Sequence, residues 1–207
     1  MNPVIQALKF RHACKKFDPQ KKISQSDVET ILAAAHLSPT SFGLEAWKIL
    51  IIKSDDVKKR LRPACWDQAQ VTDSSHVLVI LAKPCLASPD SDYIIKNLKR
   101  RQLPADMTAA YISRYKEYME TEVFPKMSAY AWCSKQCYIV LANIMTAAAS
   151  LSIDSCPMEG FEKVAVEKVL KVNTDEYEVA VLVALGYRAD AQTPRHRNSF
   201  ERFFEYR

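Results

Sequence analysis

The apolar residues of this chain follow a helical period in some segments and form continuous runs in others. Asn2 followed by Pro3 predicts a helix that begins at once, because an asparagine cap and a first-turn proline both favour helix initiation. Ser24 and Asp27 resemble a capping box, and the apolar side chains of residues 28–35 then recur at helical spacing. The first part of the chain is therefore predicted to hold two helices.

Four further helical stretches are predicted. A capped stretch over 88–101 and a longer polar one over 105–124 carry few apolar side chains, so we expect residues 88–127 to form a helical excursion at the periphery. The segment 128–153 is the most apolar, although its polar interruptions exclude a bilayer span, and it is predicted to be the central core helix. Another helix is predicted over 162–171.

Three continuous apolar runs predict strands. They cover 47–53, 76–83 and 177–187, and they are too short and too uniform for surface helices, so we interpret them as buried strands. Residues 155–161, "SCPMEGF", break the helical pattern before the last predicted helix. Because helices separate strands that could share one sheet, the fold class is α+β in layers, and 1–207 is predicted to be a single domain.

Composition narrows the function classes. The 29 Lys and Arg residues exceed the 24 Asp and Glu residues by only five, and these charges are interleaved, so a nucleic-acid partner is not expected. The N-terminal sequence lacks the pattern of a secretory signal, which predicts a cytoplasmic protein. The six cysteines include no C-x-x-C pair, so they are predicted to be reduced and mostly buried, with no metal site.

Glycine is scarce, and this excludes some ways of binding phosphate. Gly43, Gly160 and Gly186 are too far apart for a dinucleotide fingerprint or a phosphate loop, so any phosphate must be held mainly by arginine and lysine side chains. Gly160 follows "PME", where two interpretations are open. It either permits close approach of the backbone to a flat ligand or caps a helix that begins near Phe161.

Four short segments suggest more when they are considered together. They are "RHACKKF" at 11–17, "SPTSFGLEAW" at 38–47, "PMEG" at 157–160 and "PRHR" at 194–197. Their order and spacing are similar to those of the FMN-dependent nitroreductase family, whose marks are an Arg-His pair, a Ser-Pro-Ser/Thr-Ser turn leading to a Trp, a Pro-x-Glu-Gly loop and a basic Pro-x-x-Arg segment. The resemblance covers nearly the whole chain, including "WDQAQVTDSSH".

The resemblance implies a nitroreductase-like α+β layered fold with a central, mainly antiparallel sheet flanked by helices. It also implies an intertwined homodimer with two FMN molecules at the subunit interface. The C-terminal arm, residues 193–207, carries the aromatic side chains of Phe200, Phe203, Phe204 and Tyr206, which need another surface to cover them. We therefore expect the two subunits to exchange this arm.

The family's functional residues can be transferred to matching positions. Arg11, Arg195 and Arg197 match the residues that bind the FMN phosphate, and Lys15 matches a lysine near the flavin N1 and O2 edge. The backbone near Glu159 matches the donor to flavin N5. The whole set of cofactor-binding residues implied is Arg11, His12, Ala13, Lys15, Ser38, Pro39, Thr40, Ser41, Asp67, Gln70, Gln136, Pro157, Met158, Glu159, Gly160, Arg195 and Arg197.

Within that set, Ser38, Pro39, Thr40 and Ser41 match a turn that the partner subunit contributes, and no catalytic side chain is implied because the flavin carries the chemistry. Three positions depart from the family. Asp67 replaces an asparagine, Gln70 a second lysine, and Glu45 a glutamine. Each change removes a hydrogen-bond donor or adds negative charge, so the flavin potential and preferred acceptor are expected to differ.

The resemblance implies an FMN-dependent oxidoreductase. Hydride passes from NAD(P)H to flavin N5 and then to nitroaromatic, quinone or flavin acceptors in a ping-pong mechanism. Two alternatives stay open: a flavin-using enzyme of the same fold that cleaves flavin or dehalogenates its substrate, and a non-catalytic basic binding module. Trp47 is predicted to pack in the core and not on the flavin.

Overall fold

The computed structural model describes residues 2–207. Its helices are α1 Pro3–Phe10, α2 Gln25–His36, α3 Asp55–Leu61, α4 Ala69–Asp73, α5 Asp92–Lys99, α6 Ala105–Tyr118, α7 Ala129–Ser150 and α8 Lys163–Leu170. Its strands are β1 Trp47–Ile52, β2 His76–Ala82, β3 Asp154–Met158 and β4 Glu178–Gly186. A π-helical turn, Met119–Val123, continues α6, so the helical stretch predicted over 105–124 is interrupted in its last turn.

The four strands form one antiparallel sheet in the order β1-β2-β4-β3. Every residue of β2 is buried, and so is nearly every residue of β4, which confirms the prediction for both runs. The prediction that β1 is buried was wrong. β1 lies at one edge of the sheet and none of its residues is fully buried, with Ile51 exposed.

Both faces of the sheet are covered, which explains the continuous apolar runs. Successive residues of β4 point to opposite faces, so that Val181 and Val183 pack in the core formed with α2 and α7, and Leu182 and Ala184 pack in the core beside α3 and α8. The central helix α7 packs on the first face as predicted, and Trp47 packs against this core. Burying a leucine or valine side chain contributes about 1.5–3 kcal/mol.

Helix starts follow the capping signals in most places. The Asn2 side chain accepts a hydrogen bond from the backbone of Val4 at 2.9 Å, and Ser24 accepts one from the backbone of Asp27 at 3.1 Å. The start of α5 was predicted wrongly at Ser88. The Ser91 side chain caps α5 instead, by accepting a hydrogen bond from the backbone of Tyr93.

The break in the helical pattern at residues 155–161 contains most of a strand that was not predicted from the sequence. Residues 154–158 form strand β3, which pairs with the free edge of β4 from Asp154 opposite Gly186 to Met158 opposite Leu182. Pro157 is tolerated because β3 is an edge strand, where a missing backbone N–H costs little. Helix α8 follows with Glu162 as its N-cap, so Gly160 is not the cap residue.

The cysteines behave as predicted. All six are free thiols and all except Cys85 are buried. Burial raises the pKa of Cys14 and of Cys65 to about 11, so both thiols stay protonated at neutral pH. Within residues 2–207, none of the helices combines the length and the apolar character needed to cross a bilayer.

Candidate functional site

A cavity of about 310 Å³ lies between the end of α1 and the segment 192–197 near the C-terminus. The chain leaves α1 at Arg11 in an extended conformation, which turns the following residues toward this segment. The Nη2 atom of Arg195 lies 3.5 Å from the backbone oxygen of Lys9, to which it donates. The cavity is lined by Arg11, His12, Ala13, Gln192, Thr193, Pro194, Arg195, His196 and Arg197.

The charge around this cavity is positive and uncompensated. Within residues 2–207, none of the three guanidinium groups of Arg11, Arg195 and Arg197 forms an ion pair with a carboxylate. The pKa of Arg11 is lowered from its ordinary value, first because the side chain is partly buried and then because Arg195 and Arg197 repel its charge. An anion would stabilise three arginines held this close, and guanidinium groups bind phosphate and carboxylate through paired N–H donors.

A second cavity, of about 170 Å³, adjoins the first and shares His12, Ala13 and Thr193 with it. Lys15 lies in its wall, and the Lys15 ammonium group is 3.6 Å from the Cys156 sulfur in the middle of β3. The positive surface therefore extends from the arginine-lined cavity to the middle of this edge strand.

A buried ion pair fixes these cavities to the sheet. Asp154, at the start of β3, is 3% exposed and accepts hydrogen bonds from the backbone N–H and from Nε of Arg188, at 2.9 and 3.0 Å. Its other oxygen, Oδ1, lies 2.6 Å from Arg188 Nη2 and 3.5 Å from His12 Nδ1, without the alignment of a hydrogen bond. Burial, and then the charge of Arg188, lowers the pKa of His12, which is neutral at pH 7.

His12, Cys14 and Asp154 offer three possible metal ligands within 4.8 Å of one another. Arg188 already neutralises the Asp154 carboxylate, and the thiol of Cys14 is protonated at neutral pH because burial raises its pKa to about 11. A divalent cation would have to displace the guanidinium group and the thiol proton. We therefore interpret the cluster as a structural ion pair with a neutral histidine.

The segment after β3 contains a close contact between Gly160 and the side chain of Trp66. A Cβ atom on Gly160 would lie 2.7 Å from Cε3 of the Trp66 ring and 3.2 Å from Nε2 of Gln68. Gln68 Nε2 donates to the Gly160 carbonyl at 2.8 Å, and Trp66 Nε1 donates to Glu162 at 3.1 Å. In this chain the flat group against Gly160 is thus the Trp66 ring, which is 64% exposed.

The two neighbouring departures from the family differ in exposure. Gln70 is buried, and its Nε2 donates to Gln68 at 3.1 Å and lies 3.8 Å from the Cys156 sulfur. Asp67 is exposed and adopts a positive φ of 52°, and its backbone oxygen accepts from Arg62 at 3.0 Å. Gln70 therefore contacts β3 beside Lys15, whereas the Asp67 carboxylate faces solvent.

Glu159 has a partner that sequence reasoning missed. The Tyr138 hydroxyl on α7 donates a hydrogen bond to the Glu159 carboxylate. Partial burial, and then this carboxylate, raises the pKa of Tyr138, so the hydroxyl keeps its proton at neutral pH. The hydrogen bond holds the Glu159 side chain toward α7.

The turn at residues 38–41 lies elsewhere in the chain. The Ser38 hydroxyl accepts from Asn143 at 2.8 Å, and the Ser41 backbone N–H donates to the Gln136 side chain at 2.9 Å, so α7 fixes the turn. Neither this turn nor Gln136 lines the two cavities beside Arg11. The fold thus brings together residues 11–15 and 195–197 and joins them through β3 to residues 157–160, but it leaves 38–41 apart.

The chain matches one protein family and its named members along most of its length. A family model described as "Nitroreductase family" matches residues 8–187. A Bacillus subtilis protein provisionally named NAD(P)H nitroreductase YfkO is 37% identical over an alignment of length 208 that covers 96% of this chain and 94% of that protein. A Staphylococcus haemolyticus protein with the same kind of name is 38% identical, and the match covers 98% of this chain and 96% of its own.

Solved structures have the same fold. A nitroreductase-like protein from Streptococcus mutans has a TM-score of 0.87 at 20% identity, over 100% of this chain and 98% of its own. A provisionally named nitroreductase from Exiguobacterium sibiricum, solved in complex with FMN, has a TM-score of 0.82 at 22% identity, over 99% and 97% of the two chains. The predicted fold class is confirmed, while the dimer and the exchange of its arms stay predictions. By the extent of the family match and of its relatives, this chain belongs to the nitroreductase family and is an oxidoreductase.

Proposed function

We propose that this protein is an FMN-dependent oxidoreductase that takes hydride from NAD(P)H and reduces nitroaromatic, quinone or flavin acceptors. The observation that carries the proposal is the arginine-lined cavity, where Arg11, Arg195 and Arg197 have no carboxylate partner within residues 2–207. A cluster of this kind suits a phosphate monoester, which accepts several charge-assisted hydrogen bonds at once. The FMN that accompanies the Exiguobacterium relative carries such a group.

The donors beyond the cavity fit the ring of the same cofactor. The Lys15 ammonium and the Gln70 amide both approach Cys156 on β3, at 3.6 and 3.8 Å, so a donor-rich wall follows the phosphate site. An ammonium group there favours negative charge on the pyrimidine edge of a flavin. The backbone of Pro157 to Gly160 continues this wall, and the Trp66 ring would have to move for a second flat ring to lie against Gly160.

FMN, when bound, supplies the hydride carrier between the reductant and the acceptor. The residues of this chain bind and orient the substrates around it. We propose that Tyr138 keeps the Glu159 carboxylate away from the ring, since a negative charge there would oppose reduction. No side chain is required as a nucleophile, because the two half-reactions need positioning and electrostatic stabilisation.

A second copy of the chain would complete the site. The turn at residues 38–41 lines neither cavity beside Arg11, so in this proposal it faces the cofactor of the partner subunit. Exposed apolar side chains support an interface: Val4, Ile5 and Leu8 on α1, and Phe200 and Phe204, whose rings stack at 4.1 Å, in the arm. Burying these surfaces in a homodimer removes them from water.

The proposal is tested with purified protein and with Arg197→Gln. The wild type is expected to bind FMN, to bleach on addition of NAD(P)H and to recover with a nitroaromatic. The loss of a hydrogen bond to a charged group costs about 1.5–3 kcal/mol, which weakens FMN binding by about 10- to 150-fold. Arg202→Gln is the matched control, because Arg202 is an exposed arginine of the same arm that does not line the cavity.

Two results would contradict the proposal. One is a wild-type protein that does not take up FMN, and the other is an Arg197→Gln variant that retains FMN as tightly as the Arg202→Gln control. Product analysis after turnover separates reduction of the acceptor from flavin cleavage and from release of halide, the two other reactions that the resemblance leaves open.

A further inference from the structure

A third cavity, of about 290 Å³, lies between the turn after α2 and helix α6, away from the arginine-lined cavity. It is lined by Ser41, Phe42, Tyr111 and Arg114. Ser41 belongs to the turn that the proposed function places against the cofactor of the partner subunit. The cavity is therefore a candidate binding site for the part of a substrate that extends beyond the reacting ring.

The aromatic wall of this cavity is rigid. The Phe42 backbone adopts a positive φ of 55°, and its ring packs edge-on against Tyr111 and Tyr115, with ring centroids 6.1 and 5.0 Å away. Edge-to-face pairs of aromatic rings attract each other in addition to the effect of their buried area. Tyr111 consequently presents a fixed ring to the cavity.

The backbone of the turn is held just as firmly from α5 and the residues after it. Arg101 Nη2 donates to the Phe42 carbonyl at 2.5 Å, and Asn97 donates to the Gly43 carbonyl at 2.7 Å. The Tyr93 hydroxyl donates to the Leu44 carbonyl at 2.9 Å. Residues 88–127, predicted as a peripheral excursion, thus hold this turn in place.

The charge beside the cavity is positive. Arg114 lines it, and the guanidinium carbon of Arg101 lies 5.2 Å from the centre of the Tyr111 ring. Within the described part of the chain, neither arginine forms an ion pair with a carboxylate. Glu45 pairs with Arg100 at 3.5 Å and Asp90 pairs with Lys116 at 2.9 Å, and within residues 2–207 Glu117, three residues after Arg114 on α6, forms no ion pair with it.

We propose that this cavity binds the anionic group of a substrate, with Arg114 as the residue that recognises it. The proposal rests on the proposed function, because Ser41 must face the cofactor for the cavity to adjoin the reaction. Guanidinium groups bind phosphate and carboxylate through paired N–H donors, and the Tyr111 ring offers a flat surface to an attached aromatic group. The volume suits a small aromatic acid or one end of a nucleotide.

The anionic group can come from two sources: the 2′-phosphate of NADPH, or a carboxylate on the acceptor. The first experiment measures kcat/KM for NADPH and for NADH with the neutral acceptor 4-nitrobenzamide. The second measures kcat/KM for 4-nitrobenzoate and for 4-nitrobenzamide with NADH. Arg114→Gln is compared with the wild type and with Arg60→Gln, an exposed arginine of α3 outside the cavity.

Each experiment gives a ratio of two kcat/KM values, NADPH to NADH in the first and 4-nitrobenzoate to 4-nitrobenzamide in the second. Arg114→Gln is expected to lower one of these ratios by about tenfold, the effect of a lost hydrogen bond to a charged group at an exposed position. A fall in the NADPH/NADH ratio identifies the 2′-phosphate, and a fall in the nitrobenzoate/nitrobenzamide ratio identifies the carboxylate. Arg114→Lys keeps the charge and should restore part of the ratio. Both ratios within twofold of the Arg60→Gln control would overturn the proposal.

A binding measurement separates this proposal from the proposed function. Calorimetric titration of the purified protein with 4-nitrobenzoate and with adenosine 2′,5′-bisphosphate requires no turnover, and 4-nitrobenzamide and adenosine 5′-monophosphate are the matched probes. A protein that does not take up FMN refutes the proposed function. In that case the difference in affinity for the anionic probes between the wild type and Arg114→Gln still tests anion binding at this cavity. Equal affinities of these two proteins for both anionic probes would overturn the inference.

Discussion

Two of the glycines provide a direct test of the packing described above. A Cβ atom on Gly186 would lie 2.8 Å from the Phe17 ring and 3.2 Å from the Ser75 backbone nitrogen. Phe17 and Ser75 are each only 2% exposed, so neither can move without disturbing the core. Overpacking of this kind costs about 1–3 kcal/mol, and the lower entropy of the unfolded Ala chain offsets about 0.4–1 kcal/mol. We expect Gly186→Ala to lower the free energy of unfolding by about 1–2 kcal/mol.

Gly160 has contacts that are equally short but of a different kind. Its Cβ atom would lie 2.7 and 2.9 Å from two carbons of the Trp66 ring, yet this ring is largely exposed and can turn into solvent. The variant loses the hydrogen bond from Trp66 to Glu162, which contributes about 0.5 kcal/mol at an exposed site. Alanine also lowers the conformational entropy of the unfolded chain, which stabilises the folded variant by a similar amount. Gly160→Ala should therefore change the free energy of unfolding by less than about 0.5 kcal/mol.

Urea denaturation followed by circular dichroism measures both variants against the wild type. It should be repeated with saturating FMN, because a ligand that binds the folded state adds to the apparent stability. The slope with urea should stay constant, so that a shifted midpoint reports stability alone. The packing account would be refuted if Gly160→Ala were as destabilising as Gly186→Ala, or if Gly186→Ala were neutral.

Three further outcomes are expected. Burial, and then the charges of Lys53, Lys58 and Lys22, lowers the pKa of His76, so the unfolded state binds more protons than the folded state below about pH 6.5. The free energy of unfolding should therefore fall between pH 7 and pH 5. This fall should be less steep in His76→Gln than in His36→Gln, the control at an exposed site. Asp154→Asn leaves Arg188 without a counter-charge and should cost about 2–3 kcal/mol by urea denaturation, and an unchanged midpoint would contradict the buried ion pair. Removal of residues 193–207 should give a monomeric mass by light scattering, and a truncated chain that stays dimeric would refute arm exchange.

Strands β2 and β4 could be predicted from the sequence because a local property encodes them. Each is buried on both faces, so each appears as a continuous apolar run. The edge positions of β1 and β3 are not encoded locally. β1 is as apolar as a central strand, and β3 contains a proline and gains its hydrogen bonds from β4, which follows later in the chain.

The candidate site was predictable only in part, for a related reason. No period or spacing brings Arg195 to Lys9, which lies 186 positions earlier, so the meeting of the three arginines could be expected only from the family resemblance. Trp66 and Tyr138 were missed because their roles depend on hydrogen bonds to Glu162 and Glu159, in distant segments. An exposed tryptophan with a positive φ can be recognised only in the folded chain.

The strand that sequence reasoning missed connects the parts of the site. Asp154 at its start binds Arg188 and approaches His12 beside the arginine-lined cavity, and Cys156 at its middle contacts Lys15 and Gln70. At about 3.3 Å per residue, its five residues span roughly 13 Å from its first residue to its last. A strand paired with β4 would hold the proposed phosphate site and ring site at a more constant separation than a flexible loop. FMN affinity and flavin potential should therefore change together when the Asp154 ion pair is removed, although Asp154 lies outside both the phosphate contacts and the ring contacts of the proposed site.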